Sequence, residues 1–162
     1  MVLVELVKIN IKELVIVMEC KLDIHGFSVN SMYEYDKDNN KKQMSRAYRK
    51  WRTKALEKMQ VLPTLKELNI DPDKPMKIDI IFHAARGFDE DNLIKSFLDT
   101  LVMYYNMKDD NNFVDIHVRR SDKYARNIED GAILFNIENC EGKIMNVFDK
   151  LLMAIDKGWI EI

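Results

Sequence analysis

Two cysteines, three prolines and five glycines in 162 residues leave several architectures with little to be built from. Cys20 and Cys140 are too few for a disulfide framework, and too few to hold a structural zinc without other ligands, so they read as buried or free thiols. The five glycines form no phosphate-cradling Gly-rich loop, and there is no Gly-x-Ser-x-Gly nucleophile motif. Long apolar runs are missing too. Glu5, Lys8, Lys12, Glu13 and Glu19 interrupt the apolar first twenty residues too often for a membrane span. A signal peptide would need a basic start and a clean apolar run, so the chain reads as cytosolic. Finally, there is no excess of charge, the formal net being −2. With 47% hydrophobic residues, so small a net charge argues against intrinsic disorder. At first sight it also argues against a nucleic-acid ligand, for which a strongly basic chain is usual.

What is present suits one domain over residues 1–162, of the α+β class. The expected architecture is a small mixed sheet of about four strands. A long basic helix, a short helix after an Asp-x-Asp loop and a C-terminal helix accompany it. Val2 to Leu22 reads as one or two strands, and the polar text from Asp23 to Lys42 as a long loop. Met44, Tyr48, Trp51, Ala55, Met59 and Leu62 recur at the spacing of one helical face. Pro63 and Asp71-Pro-Asp-Lys-Pro75 break the helical text and lead into a turn. Met76 to His83 alternates as a strand, and Leu93, Phe97, Leu101 and Tyr104 mark a second helix beginning near Asp91. Phe113 to Arg120 alternates again with Val114, Ile116 and Val118 inward. Ser121 to Asp130 has the length of a hairpin connection to a partner strand, Ala132 to Glu138. Ile144, Phe148, Leu151, Leu152 and Ile155 form a last amphipathic helix, stopped by Gly158.

The charge is unevenly spread. Lys41, Lys42, Arg46, Arg49, Lys50, Arg52, Lys54 and Lys58 face only Glu57 in one eighteen-residue window, which carries +7 and leaves −9 for the rest. These bases lie opposite the Met44/Tyr48/Trp51 stripe. Such a surface is either a solvated helix face or a stripe that meets nucleic-acid phosphates. Tyr48 and Trp51, by their spacing, are core rather than base-stacking groups.

The most informative text is Arg86-Gly-Phe-Asp89-Glu-Asp91-Asn-Leu-Ile-Lys95. Asp89 and Asp91 stand where a loop enters a helix, and Asp109-Asp110 closes the loop after that helix. Hard oxygen donors of this kind select Mg²⁺ or Mn²⁺. Phosphodiester hydrolysis requires an activated water and neutralised charge, which a carboxylate-held metal supplies. Lys95, one turn beyond Asp91, is placed to stabilise developing charge or position a phosphate. The plain alternatives are that Asp89 or Asp91 is an N-cap and that Asp109-Asp110-Asn-Asn is a turn. Asp36-x-Asp38-x-Asn40 begins like a calcium loop, but Lys41 stands where glycine is required and Ala47 where the last ligand is required. His25, His83 and His117 show no metal-ligand spacing.

The run Asp89-x-Asp91-Asn-Leu-x-x-Lys95, with Asp99 and then Asp109-Asp110, resembles the RusA-type Holliday junction resolvases. The strand Lys77–Phe82 before it, Asp115 and Arg120 after it, and Ser28-x-Asn30, Tyr33 and Ala47-Tyr48-Arg49 upstream share the likeness. It spans Ser28 to Glu138 and is strongest over 76–120, leaving 139–162 as a C-terminal helical extension. Gly26-Phe27 replaces the family's proline pair, and Phe88 replaces the arginine that often precedes the first aspartate. The resemblance implies a homodimeric, Mg²⁺-dependent endodeoxyribonuclease (Mn²⁺ being an alternative metal) that nicks four-way or branched DNA symmetrically. Asp89, Asp91 and Asp110 would be the metal-binding carboxylates and Lys95 the essential lysine, with Asp109 adjacent. Lys41, Lys42, Arg46, Arg49, Lys50, Arg86 and Arg120 would be the DNA-binding bases. The partners are DNA and a second copy, with no membrane, in the cytoplasm (of the host, if phage-encoded). The alternative is a protein that binds junctions without cutting them.

Overall fold

The computed structural model describes residues 20–142, 152 and 154–158. Only the end of the expected Val2–Leu22 strand region falls within these bounds, as β1 (Cys20–Leu22). Of the expected Ile144–Ile155 helix, residues 152 and 154–155 are described and helical; the remainder lies outside the described residues.

The chain is α+β. After β1 come the ribbon strands β2 (Tyr33–Asp36) and β3 (Lys41–Met44), then α1 (Arg46–Gln60) and α2 (Pro63–Glu67). These are followed by β4 (Met76–His83), α3 (Asp91–Tyr104), β5 (Phe113–Arg120) and β6 (Ala132–Asn139). A mixed four-stranded sheet has the order β1-β6-β4-β5, with β4 and β5 parallel and the other pairs antiparallel. Among the described residues, no helix is long and apolar enough to cross a membrane.

One sheet face is the core. Met76, Ile78, Ile80 and Phe82 of β4 alternate with half-buried residues, as do Ile133, Phe135 and Ile137 of β6. Phe97 of α3 sits edge-on to both Phe82 and Phe135, with centroids 6.3 and 5.0 Å away. α1 packs on α3 through the expected stripe of Tyr48, Trp51, Ala55 and Met59, all buried. Its N-cap is Ser45, whose hydroxyl accepts from the Tyr48 amide at 3.1 Å and donates to the Ser31 carbonyl at 2.6 Å.

Five expectations need correction. The polar stretch from Asp23 to Lys42 is not loop throughout: it holds β2 and the start of β3. Those strands are almost wholly exposed, so they carry no apolar alternation to be read. What shapes them is their turn, where Asp36 accepts from the Asp38 and Asn39 amides and Asn40 adopts φ 52°. Pro63 does not lead straight to a turn but opens α2 as its first residue, where its missing N–H costs nothing. The helix after Asp89-x-Asp91 is not short, running 14 residues against 15 for α1.

The connection from Ser121 to Asp130 is not a hairpin, because β4 lies between β5 and β6. The apolar β4 takes the central place, while β5, with Asp115, His117, Arg119 and Arg120, suits an edge. The inward set on β5 also differs. A bulge opposite Met76/Lys77 turns Phe113, rather than Val114, into the core with Met76, and Ile116 at the open edge is 40% exposed.

Replacing Phe97 with alanine is expected to cost about 3–5 kcal/mol, the usual range for emptying a buried aromatic site. Urea unfolding measures it, with the exposed Ile128→Ala as a control that leaves the midpoint nearly unchanged.

Candidate nucleic-acid interface and carboxylate site

The loop from Ala84 to Glu90 leaves the C-terminal end of β4 and turns through Gly87, at φ 93°, into α3. Glu90 occupies the N-cap position, and its side chain makes no capping bond. Asp89 is therefore not the cap. Its backbone carbonyl accepts from the Asn92 amide, as does the Asp91 carboxylate, both at 3.1 Å. The plain reading does hold for Asp109, whose carboxylate caps the short turn Asp110–Asn112 by accepting from the Asn111 amide at 2.9 Å.

Helical spacing sets Asp91, Lys95 and Asp99 along one stripe of α3. At the helix end Asn106 takes φ 52°, while the Met107 and Asn106 amides bond back to Val102 and Met103 carbonyls. This C-cap reverses the chain and carries Asp110 back beside the stripe. Lys95 Nζ then donates to Asp99 at 2.7 Å and stands 3.8 Å from Asp110. The hydrogen bond to Asp99 pushes the Lys95 pKa above its ordinary value against partial burial, with the nearby charges of Asp99 and Asp110 and the Tyr33 phenol adding to it. The structure thus joins Lys95 to Asp110 and sets Asp89 and Asp91 within the turn before it. Among the described residues no three acidic, histidine or cysteine side chains converge as a metal-holding group. The donors are nonetheless hard oxygens, and Mg²⁺ is commonly held by one or two carboxylates with waters and substrate phosphates rather than by an all-protein cage.

Lys41 and Lys42 of β3 and Arg46, Arg49 and Lys50 of α1 are all exposed, and none makes an ion pair among the described residues. Lys42 Nζ lies 4.8 Å from the centre of the Tyr33 ring. Tyr48 is core, as its spacing implies. Burial pushes its hydroxyl pKa up to about 12, with Asp99 nearby reinforcing this and Arg52 opposing it. Arg86 and Arg120, far apart in sequence, each lie against the Tyr124 ring, with guanidinium carbons 5.1 and 4.7 Å from its centre. Beside them is a cavity of about 330 Å³ bounded by Glu90, Arg120, Ser121, Asp122 and Tyr124.

Sequence reasoning missed two residues here. Tyr124 had only its place in the basic text Arg119–Arg126 as a signal. His25 had none: its Nε2 accepts from the Ala85 amide at 3.0 Å, its Nδ1 bonds the Gly26 carbonyl at 2.7 Å, and Phe88 packs edge-on at 4.5 Å. Two hydrogen bonds on its two ring nitrogens make it a buttress of the carboxylate loop.

No known protein family matches the chain, and no curated protein matches it.

Substituting Asp99 with asparagine is expected to lower the Lys95 pKa towards its ordinary value of 10.5, read from the Lys95 side-chain NMR resonances through an alkaline titration. The folded pKa is the raised one, so the stabilising pair is complete below pH 10.5 and fades as pH rises through the folded value. His25→Ala should cost roughly 1–3 kcal/mol, because it strands the Ala85 amide. Accelerated hydrogen exchange at Ala85 would locate the loss.

Proposed function

We propose that the protein is a divalent-metal-dependent endodeoxyribonuclease acting on branched DNA, of the RusA resolvase type that its Asp89-x-Asp91, Lys95 and Asp110 text resembles. One observation carries the reading: an exposed basic surface without ion pairs among the described residues lies on β3 and on α1, and α1 packs on the carboxylate-bearing α3. Lys42 lies on the Tyr33 ring, at the start of this surface. On this reading Lys41, Lys42, Arg46, Arg49 and Lys50 grip the phosphates of a duplex whose scissile bond lies at Asp89, Asp91 and Asp110.

A Mg²⁺ held by those carboxylates together with substrate phosphate and water would supply an activated water and neutralise the leaving oxygen. Lys95 has a role of its own. It stays protonated through the neutral range, and its ammonium offers charge to a phosphorane-like oxygen without giving up its proton. Asp99 holds it in place. A homodimer suits the substrate, since a four-way junction has near two-fold symmetry and two strands to cut.

The second reading is a protein that binds junction shape through the same basic surface without cutting. Incubation with a synthetic four-way junction and a matched linear duplex in Mg²⁺ separates the two. The nuclease reading expects paired nicks in the junction, lost in Asp91→Asn while junction binding persists, and a rate about 100-fold lower in Lys95→Ala. Binding in chelator with no product under Mg²⁺ would instead establish the binding protein. Across a salt series, removing any one of the five bases should flatten the slope of log K against log salt by about 0.9.

A further inference from the structure

The ribbon of β2 and β3 is pinned at its base and has two unlike faces. The Ser45 amide donates to the Met32 carbonyl at 2.8 Å and the Ser45 hydroxyl to the Ser31 carbonyl, so both strands are tied where they meet the fold. Met32 itself is fully buried. Tyr33 pairs with Met44 and Tyr35 with Lys42, while Glu34 pairs with Gln43 and Asp36 with Lys41. Side chains alternate along a strand, so Tyr33, Tyr35, Lys42 and Met44 share one face and the two carboxylates lie on the other.

Of the four side chains on the tyrosine face, only Lys42 is charged. The carboxylates of the other face are engaged there, Glu34 accepting from Gln43 Nε2 at 3.4 Å and Asp36 from Asn39 Nδ2 at 2.7 Å. Tyr35 is 59% exposed and Tyr33 44%, and among the described residues no other aromatic ring packs on either. Neighbouring rings left in water beside a lysine offer stacking faces for bases and a cation for the phosphate between them. From this ribbon the chain passes through Ser45 alone into α1, where Arg46, Arg49 and Lys50 follow. Residues two apart on a strand are separated by about 6.6 Å, against about 3.4 Å between bases stacked in a duplex strand. The two rings therefore suit bases that have left a stack, and a matched duplex offers them no open base face.

Resting on the reading of the protein as a nuclease of branched DNA, we infer that Tyr33 and Tyr35 form a stacking platform for unpaired bases at the branch point. A branch point is where bases lose their stacking neighbours, so the platform directs the protein to branched rather than continuous DNA. The basic helix meets the phosphates of any duplex and makes no such distinction.

The test measures affinity for a four-way junction with unpaired thymidines at its branch, for a matched linear duplex and for an oligothymidylate. The proteins are wild type, Tyr35→Phe, Tyr35→Ala and the double variant Tyr33→Ala/Tyr35→Ala. Tyr35→Ala should weaken binding of the junction and of oligothymidylate about tenfold, as for the loss of one stacked base, and leave the duplex unchanged. Tyr35→Phe keeps the ring face and should retain wild-type affinity. The slope of log K against log salt should stay the same, because no phosphate contact is removed. The inference is overturned if Tyr35→Ala weakens duplex binding by the same factor, or if Tyr35→Phe loses as much as Tyr35→Ala. It is equally overturned if the double variant binds oligothymidylate as wild type does. Should wild type bind neither junction nor duplex, the branched-DNA reading fails separately. Oligothymidylate then decides the platform: binding lost in the double variant supports it, and no binding by wild type ends it.

Discussion

His25 ties the basic helix α1, the carboxylate loop and the entry to β6 together. Its carbonyl accepts from the Trp51 indole at 2.7 Å, which fixes the basic helix α1, and its ring accepts from the Ala85 amide, which fixes the carboxylate loop. Phe88 closes on the same ring from one side, and Gly131, at the entry to β6, lies so near that a Cβ there would stand 2.5 Å from the imidazole. The packing around one small buried polar group therefore links the basic helix to the carboxylate loop. A buried imidazole is stable in this place because both of its nitrogens are hydrogen-bonded.

The second constraint is the parallel pairing of β4 and β5, which obliges α3 to cross between them. A straight helix would leave Asp91 and Asp110 at its opposite ends. The C-cap at Asn106 instead folds the chain back, so that Asp110 comes alongside the middle of the helix and meets Lys95. The ammonium is the cation shared by Asp99 and Asp110. The net charge of −2 is the sum of +7 in the window 41–58 and −9 over the rest of the chain, so its small size conceals a strongly basic surface.

Much of this was legible from side-chain periodicity. β4 and the start of α3 stand where alternation and the Leu93/Phe97/Leu101 spacing put them, and Tyr48 and Trp51 are core as their stripe implies. The failures have a common physical origin. The ribbon strands β2 and β3 bury almost nothing, so hydrophobic pattern says nothing of them. Which strand neighbours β6 depends on how apolar β4 is relative to β5, a comparison between distant segments. The bulge that exchanges Val114 for Phe113 arises only once β5 is paired.

The amino-acid sequence by itself determined the helical and extended segments, the buried stripe, the basic window and the local spacing of Asp89, Asp91 and Lys95, because each is written within a few residues of chain. The tertiary structure alone decided that Asp110 joins the Lys95–Asp99 pair, that Arg86 and Arg120 share one tyrosine, and that a histidine without any motif supports the loop. Those contacts join residues brought near by strand order and chain reversal, and no local pattern encodes a distance across the sheet.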